Sequence, residues 1–269
     1  PLQRSHYVIV DGGDQPNVVP PTATVWYFIR EITADGIRAN FDTLHRIAEG
    51  AALMTDTTMG RRIIGAAWPR HFNEPIALAM GRNIAAVGLP QWSEEDQQYA
   101  RALQELLEVD EITGLAIEPD SVQGPPEDPV SGGSDDIGDV SWVVPTVTLR
   151  YPSNVEGLPG HHWSRAMAMA TPIAHKGASA GAKVLAATMI DLIENPALLD
   201  AAWTYFREEQ LAGTRYEPFI GPGDPPAIEK NRDTMAEFRS RLEVFYYDAE
   251  RFDSYLEQLG VDYPQLERP

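Results

Sequence analysis

Between Arg30 and Ala34 the hydrophobic pattern changes period, and that change limits what the chain can build. Thr22–Arg30 (TATVWYFIR) is crowded with β-branched and aromatic residues, as a strand requires. From about Ala34 to Met54, Ile37, Phe41, Leu44, Ala48 and Ala51 recur at steps of three and four. Such spacing puts them on one stripe of a helix. His6–Val10 reads as an earlier strand, closed by the turn signal Asp11-Gly12-Gly13-Asp14. Thr57–Ala67 reads as a later strand. The order strand, strand, helix, strand is part of a ferredoxin-like, split βαβ unit that a helix before His6 would complete.

After Pro69–Asn73 helical and strand-like patterns alternate. Asn73-Glu74-Pro75 opens a helix with Ile76, Met80, Ile84 and Val87 facing inward. Ser93-Glu94-Glu95-Asp96 is a capping-box-like start of a helix running to about Leu107. Further helices are expected over Ala178–Ile193, from Asn195-Pro196 to about Leu211, over Ile228–Leu242 and over Ala249–Leu259. Val140–Tyr151 reads as a strand interrupted at Pro145. Glu118–Gly133 is a long loop of Pro, Gly, Asp and Glu, and loops of that length are often functional. The alternation gives an α/β class with two domains, 1–72 and 73–269.

Composition removes several function classes. With 40 acidic and 21 basic residues the net charge is -19, which disfavours binding to nucleic acid or anionic membranes. No cysteine is present, so disulfides and thiolate metal sites are excluded, and a cytoplasmic setting fits. No apolar run reaches the ~18 residues of a membrane-spanning helix.

The candidate chemistry lies in a few segments. No His-Glu-x-x-His pair and no Gly-x-Ser-x-Gly elbow occurs. Gly177–Lys183 lacks the spacing of a phosphate loop. Ser134-Asp135-Asp136-Ile137-Gly138-Asp139 gathers three carboxylates on a Gly-rich backbone, which suits either a ligand loop or a solvated acidic turn. His175 precedes a small-residue helix, where a neutral imidazole can bind a divalent metal or simply serve the core or a cap. His161 and His162 are adjacent, so their side chains diverge and do not share one ion. Asn17 and Arg30 offer an amide and a guanidinium fork, a natural clamp for a carboxylate. They could equally hold a turn and pair with a surface acid.

Four ordered segments resemble one family. They are Gly12–Pro20 followed by Val25–Arg30, then Gly133–Trp142, Pro159–Trp163 and Ile173–Gly177. Together they resemble the aminobenzoyl-glutamate utilisation protein B branch of the di-metal aminoacylase and carboxypeptidase peptidases. The resemblance implies part of a lid and dimerisation domain, then the C-terminal part of a zinc-peptidase-like α/β catalytic domain. It also implies a metallo-amidohydrolase that cuts the amide of an N-acyl amino acid with two zinc or manganese ions. His175 would be a metal ligand; Asn17 and Arg30 would hold the substrate carboxylate. Ser134, Asp135, Asp136 and Asp139 would line the pocket, and His161 would help position substrate. The family's other metal ligands and its general base match nothing here, and Glu94-Glu95 is a helix start. The expectation is therefore a fragment or subunit, a homodimer or a chain paired with one carrying the N-terminal half. The readings of a different class are a non-catalytic partner subunit and a carboxylate-binding module.

Overall fold

The computed structural model describes residues 3–120 and 133–266. They form two compact units. The first contains residues 3–71, 133–144 and 213–227, and the second contains 72–120, 145–212 and 228–266. The class is mixed α/β: one two-stranded antiparallel sheet and many helices among the described residues. No described helix is long and apolar enough to cross a membrane.

In the first unit, β1 (Arg4–Asp11) pairs with β2 (Thr24–Arg30) in a register running from Arg4 opposite Arg30 to Asp11 opposite Thr24, with an irregularity between Ile9 and Asp11. α1 (Ala34–Thr55) follows. Thr33 caps it by accepting from the Gly36 N–H, and Asp56 ends it in the left-handed region at φ 51°. The expected stripe is half-buried at Ile37, Phe41, Leu44 and Ala48. Thr57–Ala67 does not form the expected third strand. β-propensity measures fit to a paired, half-buried surface, and this segment has no partner strand and carries Gly60 and Gly65. Among the described residues this part of the chain is thus strand, strand and helix.

Val140–Tyr151 is likewise not a strand. Its start belongs to a short helix, α4 (Ile137–Ser141), and the rest runs without sheet pairing. Most of the Glu118–Gly133 loop lies outside the described residues.

The second unit is helical among the described residues: α2 (Glu74–Val87), α3 (Glu94–Leu106), α5 (Trp163–Met169), α6 (Pro172–Glu194) and α7 (Pro196–Tyr205). α7 runs on into a π-helical turn, Phe206–Gln210. α8 (Arg232–Leu242) and α9 (Tyr255–Leu259) come last and are shorter than their patterns predict. α5 has no counterpart in the sequence reading. Tyr99, Ala100 and Leu103 of α3 close over Leu115, Val155, Leu158, Ala168 and Ile173 to make the core. α2 packs on α6 and α7. Its cap, Asn73, is fully buried and does three jobs. It accepts from the Ile76 N–H, donates its amide to the Ala202 carbonyl (2.9 Å), and donates its N–H to Thr146 O (2.8 Å). A buried polar group stays in a core only when satisfied in this way.

Candidate functional site

Two of the segments singled out by sequence are built for holding, and each leaves something exposed. In the first unit, residues 138–142 grip residues 68–71. One Asp139 oxygen accepts the Trp68 N–H (3.1 Å) and the other accepts the Tyr216 hydroxyl (2.8 Å). Ser141 Oγ accepts the His71 N–H (3.2 Å) and donates to Gly138 O (2.6 Å). The Trp142 indole donates to Pro69 O (2.7 Å). At Gly138 a Cβ would lie 1.9 Å from Trp68 O, so only glycine allows this approach. The spacing Gly138-Asp139-x-Ser141-Trp142 is therefore a mould for four backbone positions. Burial, reinforced by the hydrogen bond to Asp139, raises the Tyr216 phenol to about 12.

Trp68 is buried beneath Trp142, Tyr216 and Phe219, with Arg38 stacked on its outer face. Ser134, Asp135 and Asp136 are exposed ahead of α4. Asp135 lies 3.7 Å from the Arg70 guanidinium, and Asp136 stands at the helix start without a side-chain cap bond. Asp139 differs from them because both its oxygens are already occupied.

In the second unit, α6 begins at Pro172, so His175 lies inside its first turns and not ahead of the helix. Lys176 turns inward to Asp96, which is fully buried at the start of α3. Asp96 also accepts the Ser93 N–H (2.9 Å) and the Tyr263 hydroxyl (2.8 Å). Burial alone would raise this carboxyl. The bonds from Lys176, Ser93 and Tyr263 outweigh it, so the net pKa is lowered. Burial, with Asp96 adding to it, drives the Tyr263 phenol upward, and burial raises Tyr99 to about 12. Gly177 lies against the chain at 152–153, where a Cβ would meet Pro152 O at 2.0 Å.

With Lys176 and Gly177 turned inward, His175 is left exposed. It lines an open pocket of about 500 Å³ with Val87–Gln91, Ser179 and Lys183. His161 is exposed in the turn before α5 at φ 52°, and His162 caps α5 through Ser164. The two adjacent histidines therefore do different work.

Asn17 and Arg30 are not brought together within the hairpin. Asn17 sits exposed in the connection beyond the Asp11–Thr24 end, and Arg30 closes the opposite end. Six strand steps separate Thr24 from Arg30, roughly 20 Å of extended chain. Arg30 is half-buried, its guanidinium 5.8 Å from the Phe28 ring, and its cross-strand neighbour is Arg4.

No group of three His, Cys, Asp or Glu side chains that could hold a metal occurs among the described residues. His175 offers one nitrogen, and its pocket neighbours include two lysines but no carboxylate. The described residues therefore do not fit a complete di-metal site.

No protein-family model matches the chain. The chain is 32% identical over 242 residues to the B subunit of the p-aminobenzoyl-glutamate hydrolase of Escherichia coli (strain K12). The match covers 81% of the chain and 50% of the relative. This chain belongs to the family of that B-type hydrolase subunit. It spans about half the length of the relative that it matches.

Sequence reasoning missed Asp96 as the anchor of α6, although Lys176 stands in the His-Lys-Gly run that it singled out. Nothing local marks Tyr263.

Proposed function

We propose that this chain serves a metal-dependent amidohydrolase that cleaves the amide of an N-acyl amino acid of the aminobenzoyl-glutamate kind. The observation that carries the reading is the match to a relative whose name gives that substrate and calls it a hydrolase subunit. The exposed imidazole of His175 supports it. Arg30 binds the substrate carboxylate by charge-assisted hydrogen bonds, which turns remote binding into orientation of the scissile amide. Asn17, at the hairpin tip, makes a separate substrate contact. Ser134, Asp135 and Asp136 are exposed and open to a ligand.

In this reading His175 is the chain's own donor to a divalent zinc or manganese ion, and the other ligands and the general base come from outside the described residues. When bound, the ions supply Lewis-acid polarisation and an activated water. The working form is an assembly with further copies or with a second polypeptide. The relative's designation as a subunit favours this, and also favours a second reading, in which the chain is a non-catalytic partner. A cytoplasmic setting is part of the proposal.

Release of aminobenzoate from aminobenzoyl-glutamate, followed by chromatography, tests the reading alongside elemental analysis of the native assembly. Turnover with bound metal is expected, and Arg30→Ala should raise KM with little change in kcat. Metal-free protein without turnover would leave the partner-subunit reading. An unchanged KM in Arg30→Ala would remove that residue's role.

A further inference from the structure

The second unit carries two open pockets of opposite charge. The larger, about 600 Å³, is lined by Glu108, Asp110, Glu111 and Glu156. The other, about 500 Å³, lies between α6 and the segment 87–91, and its wall has Lys176 and Lys183 but no carboxylate. In a chain of net charge -19, whose general field repels anions, such a wall is a local reversal. Lys176 is tied to Asp96. The side chains of Gln91, Ser179 and Lys183 are exposed, and among the described residues they make no hydrogen bond or ion pair within the chain. Ser179 and Lys183 are four residues apart, so they are neighbours on the surface of α6. Both walls are held in place. Lys176 and Gly177 pin α6. Across the pocket, Gly88 O accepts the Tyr151 hydroxyl and the Trp92 indole donates to Ala116 O (2.8 Å). Val87, Leu89 and Pro90 are half-buried and give the pocket an apolar side. An ammonium, a hydroxyl and an amide beside a fixed apolar wall suit an anion with an apolar body, bound at little cost in ordering.

We propose that this pocket binds a small monocarboxylate with an apolar body. Lys183 pairs with the carboxylate, Ser179 and Gln91 donate hydrogen bonds to it, and Val87, Leu89 and Pro90 cover the body. One ammonium matches one negative charge, and the apolar side disfavours a strongly hydrated dianion such as phosphate. The site lies beside His175 without using it, so it goes beyond the amidohydrolase reading and does not depend on it.

Isothermal titration calorimetry of the native assembly with benzoate, benzamide and inorganic phosphate tests the site. Benzoate should bind with a Kd on the order of 1 mM. Benzamide, which has the shape without the charge, and phosphate, which has the charge without the apolar body, should bind at least about tenfold more weakly. Lys183→Gln should weaken benzoate about tenfold, as expected for one charge-assisted pair, and Lys183→Arg should keep most of the affinity. Lys183 is exposed, so both variants should unfold at the wild-type midpoint. His175→Ala should also keep most of the benzoate affinity. No benzoate binding at about 10 mM, or equal binding of benzamide or phosphate, overturns the site. Benzoate affinity unchanged in Lys183→Gln but lost in His175→Ala would put the anion on a metal ion, which overturns the site and leaves the amidohydrolase reading intact.

Discussion

The 138–142 segment of the first unit and the start of α6 in the second are both sequence-recognisable motifs, and they divide their labour differently. In the first, Gly138, Asp139, Ser141 and Trp142 all turn inward onto the Trp68–His71 backbone. In the second, Lys176 and Gly177 turn inward, onto Asp96 and Pro152, and His175 is left outside. The first is a clasp with its exposed acids placed ahead of it; the second is a clasp with one presented side chain. A motif that looks chemical can thus be mostly architecture, and the side chain without an internal partner is the one to test for chemistry.

The sharpest way to break this contrast is to fill the two glycines. Gly138→Ala and Gly177→Ala each drive a Cβ to about 2 Å from a backbone carbonyl oxygen, which no side-chain rotation relieves. Each should destabilise its own unit by about 3 kcal/mol or more, at the upper end of overpacking effects. Chemical denaturation followed by fluorescence would read it. A loss below about 1 kcal/mol would mean that the clasp at that position does not depend on the close approach.

Next in size is the Asp96 anchor. Asp96→Ala leaves the Ser93 N–H, the Tyr263 hydroxyl and Lys176 without their acceptor. The expected loss is about 2 kcal/mol, below that of a fully buried pair because Lys176 is partly solvated. The sign with pH follows from the lowered carboxyl. A carboxyl held below its unfolded value adds stability that is fully present above that value and disappears as pH falls through the folded one. Stability of the second unit should therefore decline on acidification through the carboxylate range, and Asp96→Asn should flatten that limb. An acid limb of the same slope in Asp96→Asn would separate Asp96 from acid sensitivity.

Asp139→Ala should be milder than the glycine changes and comparable to the Asp96 anchor, about 1.5–2 kcal/mol. It removes two hydrogen bonds to a charged acceptor at a half-buried site. It should also return the Tyr216 phenol partway toward its ordinary value, because burial, the larger cause, remains. Spectrophotometric titration of the phenol would check this, and no change on substitution would deny the bond.

Local signals were legible where they were strong. Asn73, Ser93 and Asn195 all accept hydrogen bonds at helix starts, and α2, α3 and α7 begin where those residues predict. The two missing strands share one cause. Thr57–Ala67 and Val140–Tyr151 carry strand-forming residues, but a strand exists only if another pairs with it, and pairing is not written in a single segment. Which residues would stand beside one another was not legible. Arg30 was matched with Asn17 by chemical complementarity, and the hairpin register sets it beside Arg4. Asp96 reads locally as a helix cap, and only the fold adds Lys176 and Tyr263, 80 and 167 residues away.

The smallest effect is the most informative. His175→Ala removes an exposed side chain whose neighbours, Lys176 and Gly177, do the holding. Its effect on unfolding should stay within about 0.5 kcal/mol, as for surface positions free of caps and cores. Metal content of the native assembly should fall in the same variant, because an imidazole donor is lost. Stability unchanged and metal lost would mark His175 as a residue kept for its chemistry. If instead unfolding shifts by more than about 1 kcal/mol with metal content intact, His175 belongs with the holders, and the difference between the two motifs disappears.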